Sequence, residues 1–272
     1  MDVLATARRL EAIQAEVVRT LADEAEPVAG GWMAANGTGS YLNKAVGLGF
    51  EAEPSGEDLV RIEQFFASRG IEPRVELTQF APPVFLRGLA ERGFVLQEFE
   101  NTLVLPLAGL GDPRSLLPGG WPETVRIERV DPSDERQVDT FVRTSGSGFI
   151  PEGDPFPEEF LRTGARAARA PEHDGYLAYV GDEVAGAGGC GTRGRSTSLF
   201  GTSVLPRFRR RGIQQALIAV RLERALALGS DLADITSHPG IPTERNAARL
   251  GFQLAYVRAV LVKRGPGLVP SP

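Results

Sequence analysis

The sequence predicts an α+β chain built as two similar halves, and three observations support this. The first is an internal repeat. Aligning Gly93-Phe94 with Gly251-Phe252 brings Ala90 onto Ala248, Leu96 onto Leu254, Leu103 onto Leu261 and Val104 onto Val262. The second is that both copies share an order upstream of the Gly-Phe pair: long helix, strand, short helix, closing segment. The third is the composition of residues 106–122, PLAGLGDPRSLLPGGWP, where Pro and Gly recur without periodicity and mark a linker. The expected division is 1–106, a linker at 107–122, a second domain at 123–264 and a frayed tail at 265–272.

The elements follow in order. Residues 4–22 place Leu10, Ile13, Val17 and Leu21 at helical spacing, an amphipathic helix. The Gly-rich stretch 27–50 reads as short strands and loops. Residues 55–69 open with a Ser-x-x-Asp capping pattern and end at Gly70, so they form a helix with both of its signals. PRVELTQF is a strand, and PPVFLRGLAERG is a helix opened by proline and closed by Gly93. VLQEFENTLVLPL reads as a strand or strand pair. After the linker, ETVRIERV alternates as a strand. Helices follow at about 132–144 and 156–169, separated by the loop SGSGFIPEGDP. Residues 175–206 hold three strands, turned at Gly181-Asp182 and at 193–196. A long helix over 212–228, a strand at DLADITSHP, a short helix at PTERNAARLG and a closing strand pair, FQLAYVRAVLVKR, complete the chain.

Composition narrows the function. The 272 residues are 42% hydrophobic and 24% charged, which suits a globular chain with a substantial core. A single cysteine, Cys190, excludes a disulfide framework and a cysteine-based zinc site. The two histidines, His173 and His238, lie far apart in sequence, so no metal centre is expected. A net charge of −5 argues against a nucleic-acid partner. No apolar run reaches the roughly 18–20 residues of a membrane span. The opening residues mix charge with apolar groups, unlike a signal peptide, and the expected location is cytoplasmic. Of the 30 basic residues only Lys44 and Lys263 are lysines, so the basic chemistry belongs to arginine.

The sharpest local signal is SVLPRFRRRGIQQAL, residues 203–217. A strand end is followed by Pro206, by Arg207, Arg209, Arg210 and Arg211, by Gly212, and then by a helix. This is the pattern of an anion site. A helix N-terminus presents unpaired N–H groups and a partial positive charge. Gly212 lets the backbone approach a ligand closely. Four arginines at that end oppose the helix dipole, so stability alone gives no reason for them.

Arg209-Arg210-Arg211-Gly212-Ile213-Gln214 resembles the Arg/Gln-x-x-Gly-x-Gly/Ala signature of the GNAT superfamily of acetyl-CoA-dependent N-acetyltransferases. The first four positions fit, and Gln214 departs from the small final residue. The order of elements over about 123–264 is similar to that family along its whole length. The resemblance implies two GNAT-like domains, each a mixed, mostly antiparallel sheet flanked by helices. It also implies acetyl-CoA as cosubstrate, a small-molecule or peptide amine as acceptor, and direct transfer in a ternary complex. Ser203, Val204 and Leu205 would pair with the pantetheine arm by backbone. The N–H groups of Arg209, Arg210, Arg211, Gly212, Ile213 and Gln214 would hold the pyrophosphate, with Arg207 and Arg210 at phosphates. Asn246 matches a position where the family often has an asparagine near the cofactor.

Many members carry a tyrosine four residues before the closing glycine as general acid; here that residue is Ala247. Four residues are weighed for acid–base work: Glu152 and Asp154 in the loop that borders substrate in the family, His238 at a strand end, and Tyr256 in the closing strands. Each is also explained without chemistry: Glu152 and Asp154 as solvated residues, His238 as a loop residue and Tyr256 as a packing aromatic. Cys190 reads as a small buried hydrophobe. The first half resembles a degenerate copy, because its corresponding loop, GLGFEAEPSGEDL, carries Glu51, Glu53, Glu57 and Asp58 where the other copy has arginines. Two other readings stand beside catalysis: a non-catalytic acyl-CoA-binding or regulatory module, and an aminoacyl transferase on the tandem fold.

Overall fold

The computed structural model describes residues 1–270. In chain order the elements are α1 (Val3–Leu21), β1 (Glu24–Val28), β2 (Gly31–Ala35), β3 (Lys44–Val46), α2 (Gly56–Ala67), β4 (Arg74–Thr78), α3 (Pro83–Glu91), β5 (Val95–Pro106), β6 (Val125–Arg129), α4 (Glu135–Gly146), α5 (Glu158–Arg169), β7 (His173–Val180), β8 (Glu183–Arg193), β9 (Ser196–Val204), α6 (Ile213–Ala227), β10 (Leu232–Ser237), α7 (Pro242–Arg249) and β11 (Gln253–Val262). The α+β class and the mixed sheet with flanking helices are as expected.

Packing divides the chain into two compact units. Among the described residues, one contains 1–101, 157–163 and 255–270, and the other contains 102–156 and 164–254. These differ from the division by sequence. The closing strand of the second copy belongs to the first unit, because residues 258–262 of β11 pair antiparallel with β4, Arg258 opposite Thr78 through Val262 opposite Arg74. Strand β5 begins in the first unit and ends in the second, where Leu103 and Leu105 enter the core. The strand order is β1-β2-β3-β4-β11-β5 in the first unit and β5-β10-β9-β8-β7-β6 in the second. Each unit contains a parallel step, β3 to β4 or β9 to β10, which follows from a crossover through a helix.

The repeat is visible in the order β3-α2-β4-α3-β5 against β9-α6-β10-α7-β11. It extends to hydrogen bonds. Phe94 N–H donates to the Leu89 carbonyl and Gly93 N–H to Ala90, at 3.1 and 3.0 Å. Phe252 N–H donates to Ala247 and Gly251 N–H to Ala248, both at 3.1 Å. Both are helix-ending turns with a left-handed glycine, φ +83° at Gly93 and +91° at Gly251. Each sends its phenylalanine into its own core: Phe94 packs with Leu59, Ile62, Phe66 and Leu89, and Phe252 with Ile213, Leu217 and Leu250.

Three local expectations are corrected. The closing segment at 253–262 is a single strand, not a strand pair, while that at 95–106 takes the single-strand form of its two readings. The linker is docked: Pro113–Leu116 is a 3-10 turn, Arg114 Nε donates to Glu223 Oε1 at 2.6 Å, and Leu117 packs on Ala216 and Ala219 of α6. The tail is not frayed as far as it is described, since Val269 N–H donates to the Gly70 carbonyl and the Val269 carbonyl accepts from Glu72. Residues 271–272 of the expected tail lie outside the described residues.

Candidate functional site

The second unit opens a strand edge next to a helix N-terminus. The β9–β10 ladder pairs Ser196 with Leu232 through Leu199 with Ile235 and covers no later pair among the described residues. Strand β9 runs on to Val204, held on its other side by β8. That β8–β9 pairing is itself irregular. Ala187 faces Ser203, but Gly189 faces Phe200, so the register shifts over Gly201 and Thr202. Gly201 is left-handed, φ +56°, as a bulge requires. The strand therefore bends away from β10 where the ladder stops. Within the predicted edge residues, Leu205 N–H is turned to the Ala185 carbonyl, and the Val204 carbonyl accepts from Arg209 Nε at 3.1 Å. Ser203 is buried, with its hydroxyl 3.0 Å from that of Ser147 after α4.

The arginine loop follows β9 directly, and one of its expected donors is already engaged: Arg209 N–H donates to the Pro206 carbonyl at 3.3 Å. Pro206–Phe208 forms a 3-10 turn that buries Phe208, and Arg207 and Arg211 lie over its ring, 4.7 and 5.6 Å from the centroid. Arg207 also pairs with exposed Glu183 at 2.6 Å. Arg210 is left-handed, φ +64°, which is strained for a side chain of this size. Gly212 is the N-cap of α6, φ +74°, with no side-chain cap and no acidic residue in the first turn. Among the described residues, the N–H groups of Arg210, Arg211 and Gly212 donate to no acceptor. The first-turn N–H groups of Ile213 and Gln214 are likewise outside the helix ladder. Arg209, Arg210 and Arg211 are exposed, so the loop is an array of donors under positive potential.

Gln214, the departure from the signature, has a structural role. Its Nε2 donates to Thr243 Oγ1 at 2.9 Å and its Oε1 accepts from Asn246 Nδ2, tying α6 to α7. Asn246 also accepts from Arg249. Ala247 is fully buried in the core beside Leu250 and Phe252.

The acid–base candidates occupy different surroundings. Glu152 and Asp154 are exposed in the loop between α4 and α5, and His238 is exposed just past β10. Tyr256 belongs to the first unit, 2% exposed, with its hydroxyl donating to Glu11 Oε1 at 2.7 Å. Tyr256→Phe is expected to leave turnover within about twofold and to cost about 1–2 kcal/mol in a thermal melt. A hundredfold loss in a folded variant would instead assign it a catalytic proton. Burial pushes the Cys190 thiol up to about 12, so it is an inert packing group.

Sequence reading missed other groups of the second unit. Ser198 donates to Asp234 Oδ1 at 2.7 Å across the β9–β10 step. The His173 ring lies over Gly191, 5.2 Å from that of Phe200, with Nδ1–H donating to the Ala167 carbonyl. Burial holds its pKa below the usual range. Arg221 of α6 is wholly buried beneath the bulge. Cross-strand alignment creates these sites, and no local spacing announces them.

Among the described residues, no helix is long and apolar enough to cross a membrane, and no group of three His, Cys, Asp or Glu side chains is arranged to hold a metal. Among curated proteins, none matches the chain. Three solved structures show similar folds. A GCN5-related N-acetyltransferase from Kribbella flavida is 17% identical, with a TM-score of 0.72 over 96% of this chain and 97% of that one. A tandem GNAT protein from the clavulanic acid biosynthesis pathway is 13% identical, with a TM-score of 0.63 over 97% and 96%. A functionally unknown conserved protein from Staphylococcus epidermidis ATCC 12228 is 12% identical, with a TM-score of 0.59 over 83% and 86%. The model of the acetyltransferase (GNAT) family matches residues 139–252, which take in the bent strand, the arginine loop and α7. Residues 139–252 thus correspond to a GNAT acetyltransferase domain, and the fold of the chain is similar to that of GNAT structures.

Proposed function

We propose that the protein is an N-acetyltransferase that moves the acetyl group of acetyl-CoA directly to a primary amine in a ternary complex. One observation carries this reading: the N-terminus of α6 is uncapped and faces an arginine loop, whereas its counterpart α2 is closed upon itself. At α2, Ser55 Oγ accepts from Asp58 N–H at 3.1 Å and Asp58 Oδ2 accepts from Ser55 N–H at 2.8 Å. Those are the donors an anion would need, and Glu57 and Asp58 add negative charge there. A pyrophosphate is thus favoured at α6 and excluded at α2.

In this reading the N–H groups of Arg210 to Gln214 hold the pyrophosphate, with Arg207, Arg209 and Arg211 supplying positive potential. The free edge of β9, from Phe200 to Val204, takes the amides of the pantetheine arm. The neutral amine attacks the thioester carbon, the C–S bond breaks, and the amine proton leaves to solvent. Ala247 has no proton to give, so the departing thiolate is protonated by water. The acceptor is a small-molecule or peptide amine and the setting is the cytoplasm. The net charge of −5 speaks against a nucleic-acid partner.

Calorimetric titration with CoA is expected to saturate at one molecule per chain, and acetyl-CoA is expected to release thiol when a panel of primary amines is supplied. Initial-rate lines that intersect support the ternary complex, and parallel lines would overturn it. CoA binding with no turnover on any amine would favour the regulatory module. Two equivalent CoA sites would overturn the contrast between α6 and α2.

A further inference from the structure

Arg221 is the one fully buried arginine of α6, and the proposed reaction does not use it. Its Nε donates to the Leu217 carbonyl at 2.8 Å, one helical turn back. Its Nη1 donates to two carbonyls on different strands, Gly189 of β8 at 2.9 Å and Phe200 of β9 at 3.3 Å. Its Nη2 has no partner. The groups that act on its charge are the thiol of Cys190 and the phenol of Tyr176, and burial lowers its pKa to about 10. A buried cation without a carboxylate is costly, and an apolar side chain there would be cheaper.

The sequence also makes room for it. A Cβ at Gly188 would lie 3.0 Å from Arg221 Cζ and 3.2–3.3 Å from both Nη atoms, so the guanidinium lies flat on that glycine. Gly189 and Phe200 are the paired residues immediately before the register shift. A bulge leaves ladder groups without cross-strand partners. Here one guanidinium takes both carbonyls from below, at the level where β9 leaves β10.

We propose that Arg221 is a positioning residue for the acyl end of the bound thioester: it clamps Gly189 to Phe200 across the bulge, so that the following residues, 201–204, present a fixed backbone edge. The proposal rests on the acyl-CoA reading for its ligand, and its structural half is testable without one. The guanidinium sets the edge, the edge sets where the thioester carbon sits, and the nucleotide end stays with the arginine loop.

The test compares wild type with Arg221→Met, Arg221→Lys and Gly188→Ala. Hydrogen exchange of the amides over 199–205, measured without ligand, is expected to quicken at least about tenfold in Arg221→Met, with α4 unchanged. Calorimetry is expected to give a CoA Kd within about threefold of wild type, while kcat for acetyl transfer falls about thirtyfold or more. Arg221→Lys, with one compact donor head in place of a planar fork, should fall between the two. Gly188→Ala pushes the guanidinium aside without removing it and should reproduce the pattern, and it decides the matter if Arg221→Met fails to fold. Unchanged exchange over 199–205 in a folded variant overturns the proposal, as does a kcat loss that only tracks the fraction unfolded. If wild type binds no CoA, the acyl-CoA reading fails, and the exchange result still judges the clamp.

Discussion

Replacing Arg209 and Arg210 together with glutamate is expected to raise the Kd for CoA by two to three orders of magnitude, about 3–4 kcal/mol. The size follows from what the loop is. Both side chains are exposed and precede the uncapped N-terminus of α6, with the N–H groups of Arg210, Arg211 and Gly212 unused. Each substitution removes a charge-assisted contact and adds a repulsion to an anion bound at those donors. Glutamate tolerates the left-handed backbone of position 210 no better than arginine does, so the fold should be little changed. The loss should shrink as salt is raised, because the charges are solvent-facing. Calorimetry at two ionic strengths checks both statements. An unchanged Kd at low salt would remove the arginine loop from the CoA site.

The arginine loop was legible because its parts are neighbours in sequence: a strand end, four arginines, a left-handed glycine and a helix fall within residues 203–217. The same holds for the repeated Gly-Phe turn, whose hydrogen bonds span six residues in each copy. The surroundings of the bent strand were not legible for the opposite reason. Asp234 meets Ser198 across two strands, and Arg221 of α6 meets Gly189 and Phe200, only after elements 21 to 36 residues apart come together. The glycine-rich run over 186–191 signalled a close backbone approach but not what approaches. In the structure these glycines face Ile213, Arg221, Phe200 and His173 in turn.

The misplaced boundary has a similar cause. Hydrophobic alternation shows that 253–262 is a strand but not which neighbour it pairs with. Its ladder partner is β4, and so the last strand of the second copy belongs to the first unit. A strand's partner is set by long-range pairing, to which a repeat in sequence is blind. Gln214 teaches the converse. The side chain that departs from the motif ties the loop's helix to α7 through Thr243 and Asn246.

The second large effect is expected far from the arginine loop, at Glu76 in the first unit. Its side chain is wholly buried and is shared by three cations: Lys44 Nζ at 2.9 Å, Arg258 Nη1 at 3.1 Å and Arg74 Nε at 3.4 Å. Gln14 Nε2 donates to it as well, at 3.1 Å. Burial alone would raise its pKa, but Lys44, Arg258 and Arg74 outweigh that and bring it to about 2, against 4.5 for a free glutamate. Glu76→Ala leaves buried cations without their shared anion, and the loss should be about 3–5 kcal/mol. Because the folded-state pKa is depressed, Glu76 stabilises fully above pH 4.5, and this contribution fades as pH falls toward 2. Glu11, buried beside Arg258 and Tyr256, has the opposite sign. Burial raises its pKa, so its contribution is present at low pH and fades as pH rises through the folded value. Urea unfolding at pH 3, 5 and 7 separates the two: Glu76→Gln should lose most at pH 5 and 7 and flatten the acid limb, and Glu11→Gln should cost least at pH 7. If Glu76→Ala lost under about 1 kcal/mol at pH 7, Arg258 and Arg74 would be adequately held by the remaining carboxylates around them, Glu11, Glu98 and Glu100, and Glu76 would not be the common anchor of the three cations.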